Sequence, residues 1–363
     1  MIQLNQSLQS LANGNWFKLI CGASYQHLPA IRNLALAYSL AGADCIDVAA
    51  DQAVIVAARQ GIAVANQLDS QNHSEPLLMV SLNDGEDPHF RKAQFDSIQC
   101  PTDCERPCET ICPARAIDAR GVIDSLCYGC GRCIPICPQG LILTRSYVSQ
   151  PQVIIPWISE LGIDAIELHT QVGHYEQFTR LWRAIKPAVK QLKVLAISCP
   201  IAEGVIDYLR SLYELISPLP CPLIWQTDGR PMSGDIGAGT THAAVKYAQK
   251  AIAADLPGYI QLAGGTNGYT ISKLLSAGML QKKGANSGKN KKKVAGVAYG
   301  SYARTLLNPV WERLEQDDPQ HAVTNPNNRA SFSSALEDNS QLLHQAVALA
   351  QTLVNPLKNH DCI

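Results

Sequence analysis

Eight of the thirteen cysteines lie between positions 100 and 137, and their spacing suits metal ligation. The second half of this segment reads Cys127-Tyr-Gly-Cys130-Gly-Arg-Cys133-Ile-Pro-Ile-Cys137-Pro138. This is the C-x2-C-x2-C-x3-C-P motif that binds a 4Fe-4S cluster in bacterial ferredoxins. Gly129 and Gly131 separate the cysteines and allow backbone amides to approach the cluster sulfides. The motif therefore predicts an iron-sulfur centre.

The first half of the segment is a wider version of the same motif. It reads Cys100-Pro-Thr-Asp-Cys104-Glu-Arg-Pro-Cys108-Glu-Thr-Ile-Cys112-Pro113, with three residues in each gap. In two-cluster folds the cysteine before proline ligates the cluster of the other motif. We therefore expect two 4Fe-4S clusters, one bound by Cys100, Cys104, Cys108 and Cys137, the other by Cys127, Cys130, Cys133 and Cys112. The wider gaps leave open whether the first motif holds a complete four-iron cluster.

Two other uses of clustered cysteines fit the sequence less well. A zinc site needs four ligands with a long spacer between the pairs and often includes histidine, which this run does not match. Disulfides are typical of small secreted domains, whereas the amino-terminal segment MIQLNQSLQSLANGNW lacks the basic and apolar regions of a signal peptide. We therefore expect a cytoplasmic protein with metal-bound thiolates.

The composition is that of a globular protein, because 46% of the 363 residues are hydrophobic and 17% are charged. The net charge of -1 argues against a nucleic-acid partner bound through bulk positive charge. No apolar run reaches the roughly 20 residues that cross a bilayer, so no membrane span is expected.

Eight apolar, β-branched segments alternate with helical patterns along the rest of the chain, as in a parallel sheet with crossover helices. The strand candidates are 17–24, 43–49, 77–82, 163–168, 193–198, 222–227, 259–263 and 294–299, and a final helix is predicted at 340–358. Eight such units favour a closed (β/α)8 TIM-like barrel. An open doubly wound sheet is the alternative, although no G-x-G-x-x-G motif follows the first strand.

The interval between the third and fourth strands is much longer than the others, which places a two-cluster, bacterial-ferredoxin-like insert at 96–145. The barrel then comprises 1–95 and 146–363. Because loops that follow barrel strands form the face where sites are built, the clusters are expected beside the barrel mouth. A basic segment rich in Gly and Ser, at 281–293, is predicted to be a flexible loop.

Polar side chains at the predicted strand ends match no known catalytic motif. They are Ser24, Asp51, Asn83, His169, Cys199, Gln226, Asp228, Thr266 and Ser301. Glycine loops after the last two strands of a barrel commonly bind phosphate on backbone amides. The predicted phosphate site, which would suit FMN, comprises Gly264, Gly265, Thr266, Gly300 and Ser301. The alternative is that these glycines serve only tight turns. His169 is interpreted as a structural histidine, with ligation or acid-base chemistry as the alternative.

Both cysteine motifs lie inside a barrel frame that begins FKLICGASYQHLPAIRNLALAYSLAGADCIDVAAD and ends near GVAYGSYAR. In this combination the sequence resembles the cyanobacterial light-dependent period protein A family over nearly its whole length. The resemblance implies an iron-sulfur protein that reports cellular redox state, set by photosynthetic electron flow, to the circadian clock. It also implies clock and input-kinase proteins as partners.

Two functions are therefore considered. The preferred one is a redox-sensing regulator whose clusters respond to the electron supply, with an electron donor as a further partner. The alternative is an oxidoreductase in which the clusters feed a flavin, FMN, bound in the barrel. The sequence contains no recognisable catalytic base or nicotinamide motif, which favours the regulator over an enzyme.

Overall fold

The structure, a computed structural model, describes residues 6–22, 28–69, 74–85, 91–112, 115–124, 126–127, 129, 131–146, 150–229, 237, 239–280, 292–316 and 335–359. A closed barrel of eight parallel strands forms the larger part of it, as the sequence predicts. The strands are apolar and buried on both faces, as a sheet covered by helices requires.

Strands are numbered in chain order, with β4 to β7 in the insert. The barrel strands are β1 (Trp16–Ile20), β2 (Cys45–Ala49), β3 (Leu77–Asn83), β8 (Ala165–His169), β9 (Val194–Pro200), β10 (Leu223–Asp228), β11 (Tyr259–Ala263) and β12 (Val294–Tyr299). Around the ring they follow the order β1-β12-β11-β10-β9-β8-β3-β2, and this closed order excludes the open doubly wound sheet. The first strand ends at Ile20, before the predicted limit of 24.

Most helices cover the outside of the barrel and alternate with its strands, whereas Leu11 of the first helix packs into the barrel interior and the last three helices follow the final strand. The barrel helices are α1 (Gln6–Asn13), α2 (Leu28–Leu40), α3 (Gln52–Leu68), α6 (Pro151–Glu160), α7 (Tyr175–Ile185), α8 (Val205–Ile216), α9 (Thr241–Ala253), α10 (Thr270–Ser276), α11 (Ser301–Leu306), α12 (Asn308–Gln316) and α13 (Ser340–Lys358). The last helix has the predicted bounds. It begins there because the Asn339 side chain accepts a hydrogen bond from the backbone N–H of Leu342, 3.1 Å away.

A small module interrupts the barrel between β3 and α6, where the sequence predicts the insert. Strand β4 (Arg91–Gln94) pairs antiparallel with β7 (Leu143–Ser146), and β5 (Ile117–Asp118) pairs with β6 (Gly121–Val122). Two short helices, α4 (Pro107–Ile111) and α5 (Cys133–Ile136), pack on each other. The sheet of the module thus includes residues before position 96. The sequence does not predict this strand, because Arg-Lys-Ala-Gln lacks the apolar pattern of a strand. The predicted domain limits themselves stay predictions.

The main core lies between the barrel and its helices, and a second cluster fills the amino-terminal half of the barrel interior around Trp16, Met79 and Ile224. Of the predicted loop at 281–293, residues 281–291 lie outside the described residues. The Lys293 ammonium donates to the carbonyls of Gly278 and Leu280, at 2.9 and 3.1 Å, and so fixes the entry to β12. None of the described helices combines the length and apolarity needed to cross a membrane.

Candidate functional site

Two short helices place the cysteines of the insert in two equivalent arms. Helix α4 carries Cys108 near its start and is followed at once by Cys112. Helix α5 begins at Cys133 and is followed at once by Cys137. The repetition in the sequence is therefore also a repetition of local structure, in which one turn of helix separates the last two cysteines of each motif.

Left-handed turns precede both helices. In the second motif, Gly129 and Gly131 have φ values of 77° and 75°, which glycine adopts without steric penalty. In the first motif Arg106 takes this conformation, with φ of 51°, in the widened gap between Cys104 and Cys108. The longer spacing is therefore accommodated by a left-handed turn directly before the helix.

The sulfur atoms receive backbone hydrogen bonds, which is the environment that iron-sulfur ligands need. The N–H of Arg106 donates to Cys104 Sγ at 3.4 Å, and the N–H of Ala116 donates to Cys112 Sγ at 3.2 Å. Burial alone would raise the pKa of Cys137, yet the backbone N–H groups that follow it, from Gln139 to Ile142, lower that pKa below its usual value. Because the thiolate is the form that binds iron, this donor set fits an iron-sulfur cluster.

The last cysteine of the second motif lies beside the first motif. Burial raises the pKa of Cys108, and the charge of Cys137 raises it further. Burial, Cys104 and Cys137 likewise raise the pKa of Cys100. This neighbourhood is the one that the crossed ligand set requires. Cys130 lies outside the described residues, and the described cysteines do not by themselves form a ready group of three or more metal ligands, so the ligand assignment stays a prediction.

A buried ion pair joins the insert to the barrel. Lys92 of β4, 2% exposed, pairs with Asp51 at 3.2 Å, and its ammonium also donates to the carbonyl of Asp124. Asp51 follows β2 at the carboxyl end of the barrel and caps α3 by accepting a hydrogen bond from the N–H of Ala53 at 3.0 Å. This predicted candidate residue is therefore a structural link that holds the insert beside the barrel mouth.

A layer of charged side chains crosses the middle of the barrel. Lys18 of β1 is fully buried and pairs with Asp47 of β2 at 3.1 Å and with Glu167 of β8. Burial opposes a charge on Lys18, but the two carboxylates outweigh it and raise the pKa of Lys18 above its ordinary value. Lys18 is thus a charged partner in a network and not a free amine nucleophile.

The network continues towards the mouth through Glu167. Its Oε1 lies 3.0 Å from His169 Nε2 and accepts a hydrogen bond from Gln226 Nε2 at 2.8 Å. Burial alone would lower the pKa of His169, whereas Glu167 raises it to about 9. Burial opposes ionisation of Glu167, yet Lys18 and His169 bring its pKa down to about 2. Both side chains are therefore charged at neutral pH.

Asp228 and Gln261 extend the network around the ring. Gln261 donates to Gln226 at 2.7 Å and accepts from Trp16 Nε1 at 2.7 Å. Asp228, at the end of β10, accepts from Ser198 Oγ and from Gln226 Nε2. Burial and the charge of Glu167 raise the pKa of Asp228 to about 6.

The structure brings the two predicted phosphate-binding segments together, but the hydroxyl groups of these segments form hydrogen bonds with other groups of the protein. Thr266 Oγ1 donates to the carbonyl of Ala298 at 2.6 Å, and Ser301 Oγ accepts from Arg304 Nη2 at 3.1 Å. At Gly265, where φ is 94°, an added Cβ would lie 2.7 Å from the carbonyl oxygen of Thr240. Packing therefore accounts for this glycine, and phosphate binding by Gly264, Gly265, Thr266, Gly300 and Ser301 stays a prediction.

The remaining predicted residues have simpler surroundings. Asn83 lies opposite His169 in the parallel register of β3 and β8. Cys199 is fully buried, and burial raises the pKa of its thiol to about 12, so it is an unreactive core cysteine. Ser24 lies outside the described residues.

Sequence reasoning missed Lys18, Asp47, Glu167 and Arg304. A signal was present for the first three, since each is a single charge inside an apolar strand run: FKLI, CIDVA and AIELH. A charge at such a position is exposed only where one face of the sheet contacts solvent. Neither face of a closed barrel covered by helices does so. No comparable signal marks Arg304, which lies in a helix.

Comparisons with known proteins agree with this architecture. The family described as the LdpA Fe-S cluster-binding domain matches residues 100–148, and the Light dependent period A C-terminal domain matches residues 157–356. Light dependent period A from Synechococcus elongatus is 50% identical over 351 residues, covering 97% of this chain and 93% of that protein.

Two solved structures are similar at lower identity. Mycobacterium tuberculosis tryptophan synthase gives a TM-score of 0.45 at 11% identity and covers 98% of both chains. The tryptophan synthase alpha chain of Legionella pneumophila gives 0.44 at 10% identity and covers 99% of this chain and 100% of that one.

Proposed function

The chain belongs to the light dependent period A family, and we propose that it is an iron-sulfur, redox-sensing regulatory protein that relays cellular redox and light state to the circadian clock. The observation that carries the iron-sulfur part is the pair of equivalent helical arms, in which Cys108 and Cys112 repeat as Cys133 and Cys137. The relay to the clock rests on membership of the family.

We propose two 4Fe-4S clusters with crossed ligands. Cys100, Cys104, Cys108 and Cys137 hold one, and Cys127, Cys130, Cys133 and Cys112 hold the other. The position of Cys137 beside Cys100 and Cys108 supports the first set. When bound, such a cluster accepts or releases one electron. The backbone N–H groups at Cys104, Cys112 and Cys137 stabilise the thiolates that hold it.

The rest of the chain positions the redox module for a partner. Lys92 and Asp51 fix the module beside the barrel mouth, so a partner that binds there contacts both parts of the protein. The proposed partners are clock and input-kinase proteins together with an electron donor. We propose that the module signals to these partners and that the protein acts in the cytoplasm.

Iron and acid-labile sulfide analysis of anaerobically purified protein tests the cluster assignment. We expect about eight irons per chain, the content of two four-iron clusters. Cys133→Ser should remove about half of the iron, whereas Cys199→Ser, which changes a buried cysteine outside the motifs, should remove none. Equal iron in all three proteins would contradict the ligand assignment.

The relay is tested in Synechococcus elongatus whose own protein is replaced by this chain. The wild-type chain should restore the dependence of the circadian period on light intensity, and Cys133→Ser should not. Cys199→Ser is the matched control and should behave as wild type. A normal light response with Cys133→Ser would refute the relay.

The oxidoreductase with a barrel-bound FMN makes a different prediction. Its absorption spectrum would retain flavin bands after the clusters are bleached. Under the regulatory proposal bleaching leaves no visible band, because no flavin is needed. The internal hydrogen bonds of Thr266 and Ser301 favour the latter result.

A further inference from the structure

Two charged side chains at the barrel mouth form no ion pair within the described part of the chain. Arg304, in helix α11, donates to the Ile20 carbonyl at 3.0 Å and to Ser301 Oγ at 3.1 Å, and both acceptors are neutral. Asp228 receives hydrogen bonds only from the neutral side chains of Ser198 and Gln226. Both residues are partly buried, and partly buried charges are stabilised by a partner of opposite sign.

The wall between these two groups consists of small residues. Lys18 faces the barrel interior and is paired in register with Ala298, so Ala298 and, two residues later, Gly300 face the interior on β12. On β11 the residue two beyond the interior Gln261 is Ala263. Barrel interiors are ordinarily filled by Val, Ile and Leu. Within the described strands, the interior positions between Arg304 and Asp228 at and above the level of Lys18 and Gln261 therefore include Ala298, Gly300 and Ala263, none of which has a side chain larger than a methyl group.

The electrostatic surroundings of both groups favour a ligand of opposite charge. Burial and Glu167 raise the pKa of Asp228 although the charges of His169 and Lys18 act in the opposite direction, so a further cation beside this carboxylate would be stabilised. Burial lowers the pKa of Arg304, so an anion beside the guanidinium would likewise be stabilised. By contrast, the charges deeper in the barrel balance each other, because the cations Lys18 and His169 match the carboxylates Asp47 and Glu167.

We propose that the barrel mouth binds a small zwitterionic molecule, whose carboxylate or phosphate pairs with Arg304 and whose amino group pairs with Asp228. Arg304 Nη1 lies 3.0 Å from the Ile20 carbonyl at the end of β1 and 3.5 Å from the position of a Cβ added at Gly300, so it is three strand spacings from β10, about 14 Å along the barrel wall. A chain of a few carbon atoms spans that gap once the arginine side chain reaches inward. The barrel is then a ligand-binding domain, and the ligand that it binds is a signal separate from the redox state of the iron-sulfur module.

Isothermal titration calorimetry of the full-length protein with four probes tests this site. Phosphoethanolamine and β-alanine carry both charges, inorganic phosphate carries only the anion, and ethanolamine carries only the amine. One of the two zwitterions should bind at least tenfold more tightly than either single-charge probe. The stronger of the two identifies the anionic group as phosphate or carboxylate. Equal binding of zwitterions and single-charge probes, or no binding at all, overturns the proposal without any variant.

Variants then assign the residues. Arg304→Gln and Asp228→Asn should each weaken binding of the zwitterion at least tenfold. Arg304→Lys, which keeps the charge, should weaken it less. The control variants are Arg210→Gln and Asp207→Asn, a largely exposed ion pair on α8, and they should bind as wild type. Unchanged affinity in Arg304→Gln or in Asp228→Asn overturns the proposal. Iron content and circular dichroism verify that each variant is folded, and both are independent of the relay function.

Discussion

Lys18 illustrates how single residues determine the interior of this barrel. Its ammonium is fully buried and is held by Asp47 and Glu167. Lys18→Met should lower the free energy of unfolding by about 3 to 5 kcal/mol, because it leaves two carboxylates buried without their cation. Urea denaturation measures the change.

An exposed lysine provides the comparison. Lys193 pairs with Asp164 at 2.8 Å and is 47% exposed, so Lys193→Met should cost at most about 1 kcal/mol. Similar losses for Lys18→Met and Lys193→Met would show that the interior charges do not depend on Lys18.

His169 should make stability depend on pH. Its pKa rises from 6.5 to about 9 on folding because Glu167 stabilises the protonated ring. The folded state therefore binds the proton more tightly, and the stabilisation is complete below pH 6.5 and is lost as pH rises towards 9. We expect a loss on the order of 1 to 3 kcal/mol over that interval.

The histidine variant isolates this contribution. His169→Gln should flatten the pH dependence of the unfolding free energy between pH 6.5 and pH 9, the range of the shift. Denaturant titrations at several pH values measure it. An unchanged pH slope would mean that another group is responsible.

Between elements, helices α2 and α3 pack closely in the outer layer of the barrel. A Cβ added at Gly61 would lie 2.1 Å from the backbone oxygen of Arg32. Gly61→Ala should therefore destabilise the protein by about 1 to 3 kcal/mol. Changing an exposed helical glycine to alanine ordinarily stabilises a protein, because alanine has the higher helix propensity. Thermal unfolding of Gly61→Ala therefore distinguishes a packing clash from a gain in helix propensity. Gly239→Ala, in an exposed turn before α9 with nothing in the described structure within 4 Å of the added atom, is the control for a glycine without packing contacts and should change stability little.

Among the described residues, the buried ion pair of Lys92 with Asp51 links the insert to the barrel. Lys92→Met removes the cation from Asp51 and from the carbonyl of Asp124. We expect faster proteolysis within the insert while the barrel keeps its circular dichroism spectrum. Arg145→Met, which breaks the more exposed pair with Asp124, is the matched variant and should change the rate little. Equal rates for the two variants would show that Lys92 does not hold the junction.

For the whole molecule, the insert and the barrel differ in what stabilises them. The buried cluster of the insert consists of Ala93, Cys108, Ala116, Ile117, Cys127, Cys133 and Ile142. Three of these seven residues are proposed iron ligands, whereas the barrel core is large and contains many aliphatic and aromatic side chains. Metal binding is then part of the folding free energy of the insert alone.

Removal of iron should therefore unfold the insert and spare the barrel. After treatment with an iron chelator under reducing conditions, hydrogen exchange should increase in residues 91–146 and remain slow in the barrel strands. Mass spectrometry of the exchanged peptides measures this. Protection retained throughout the iron-free insert would contradict a metal-dependent core.

The barrel and the insert could be predicted from sequence because their signals are local. Strand runs such as LLMVSL and IDAIEL repeat with helices between them, and each run is buried on both faces whatever its neighbours are. The cysteine motifs are equally local, because three ligands of each proposed cluster come from one short run of the chain and only the fourth comes from the other motif.

Only the tertiary structure decided which polar residues meet. Lys18, Asp47 and Glu167 are far apart in the chain and become partners because closure of the ring turns them to the same interior. The alternation of residues along a strand predicts which face of the sheet a side chain occupies, but not its height along the barrel axis relative to side chains of other strands. That height depends on the stagger of the strands in the closed barrel. For the same reason the sequence selected Asp51 as a site residue, whereas the structure uses it as the anchor of Lys92.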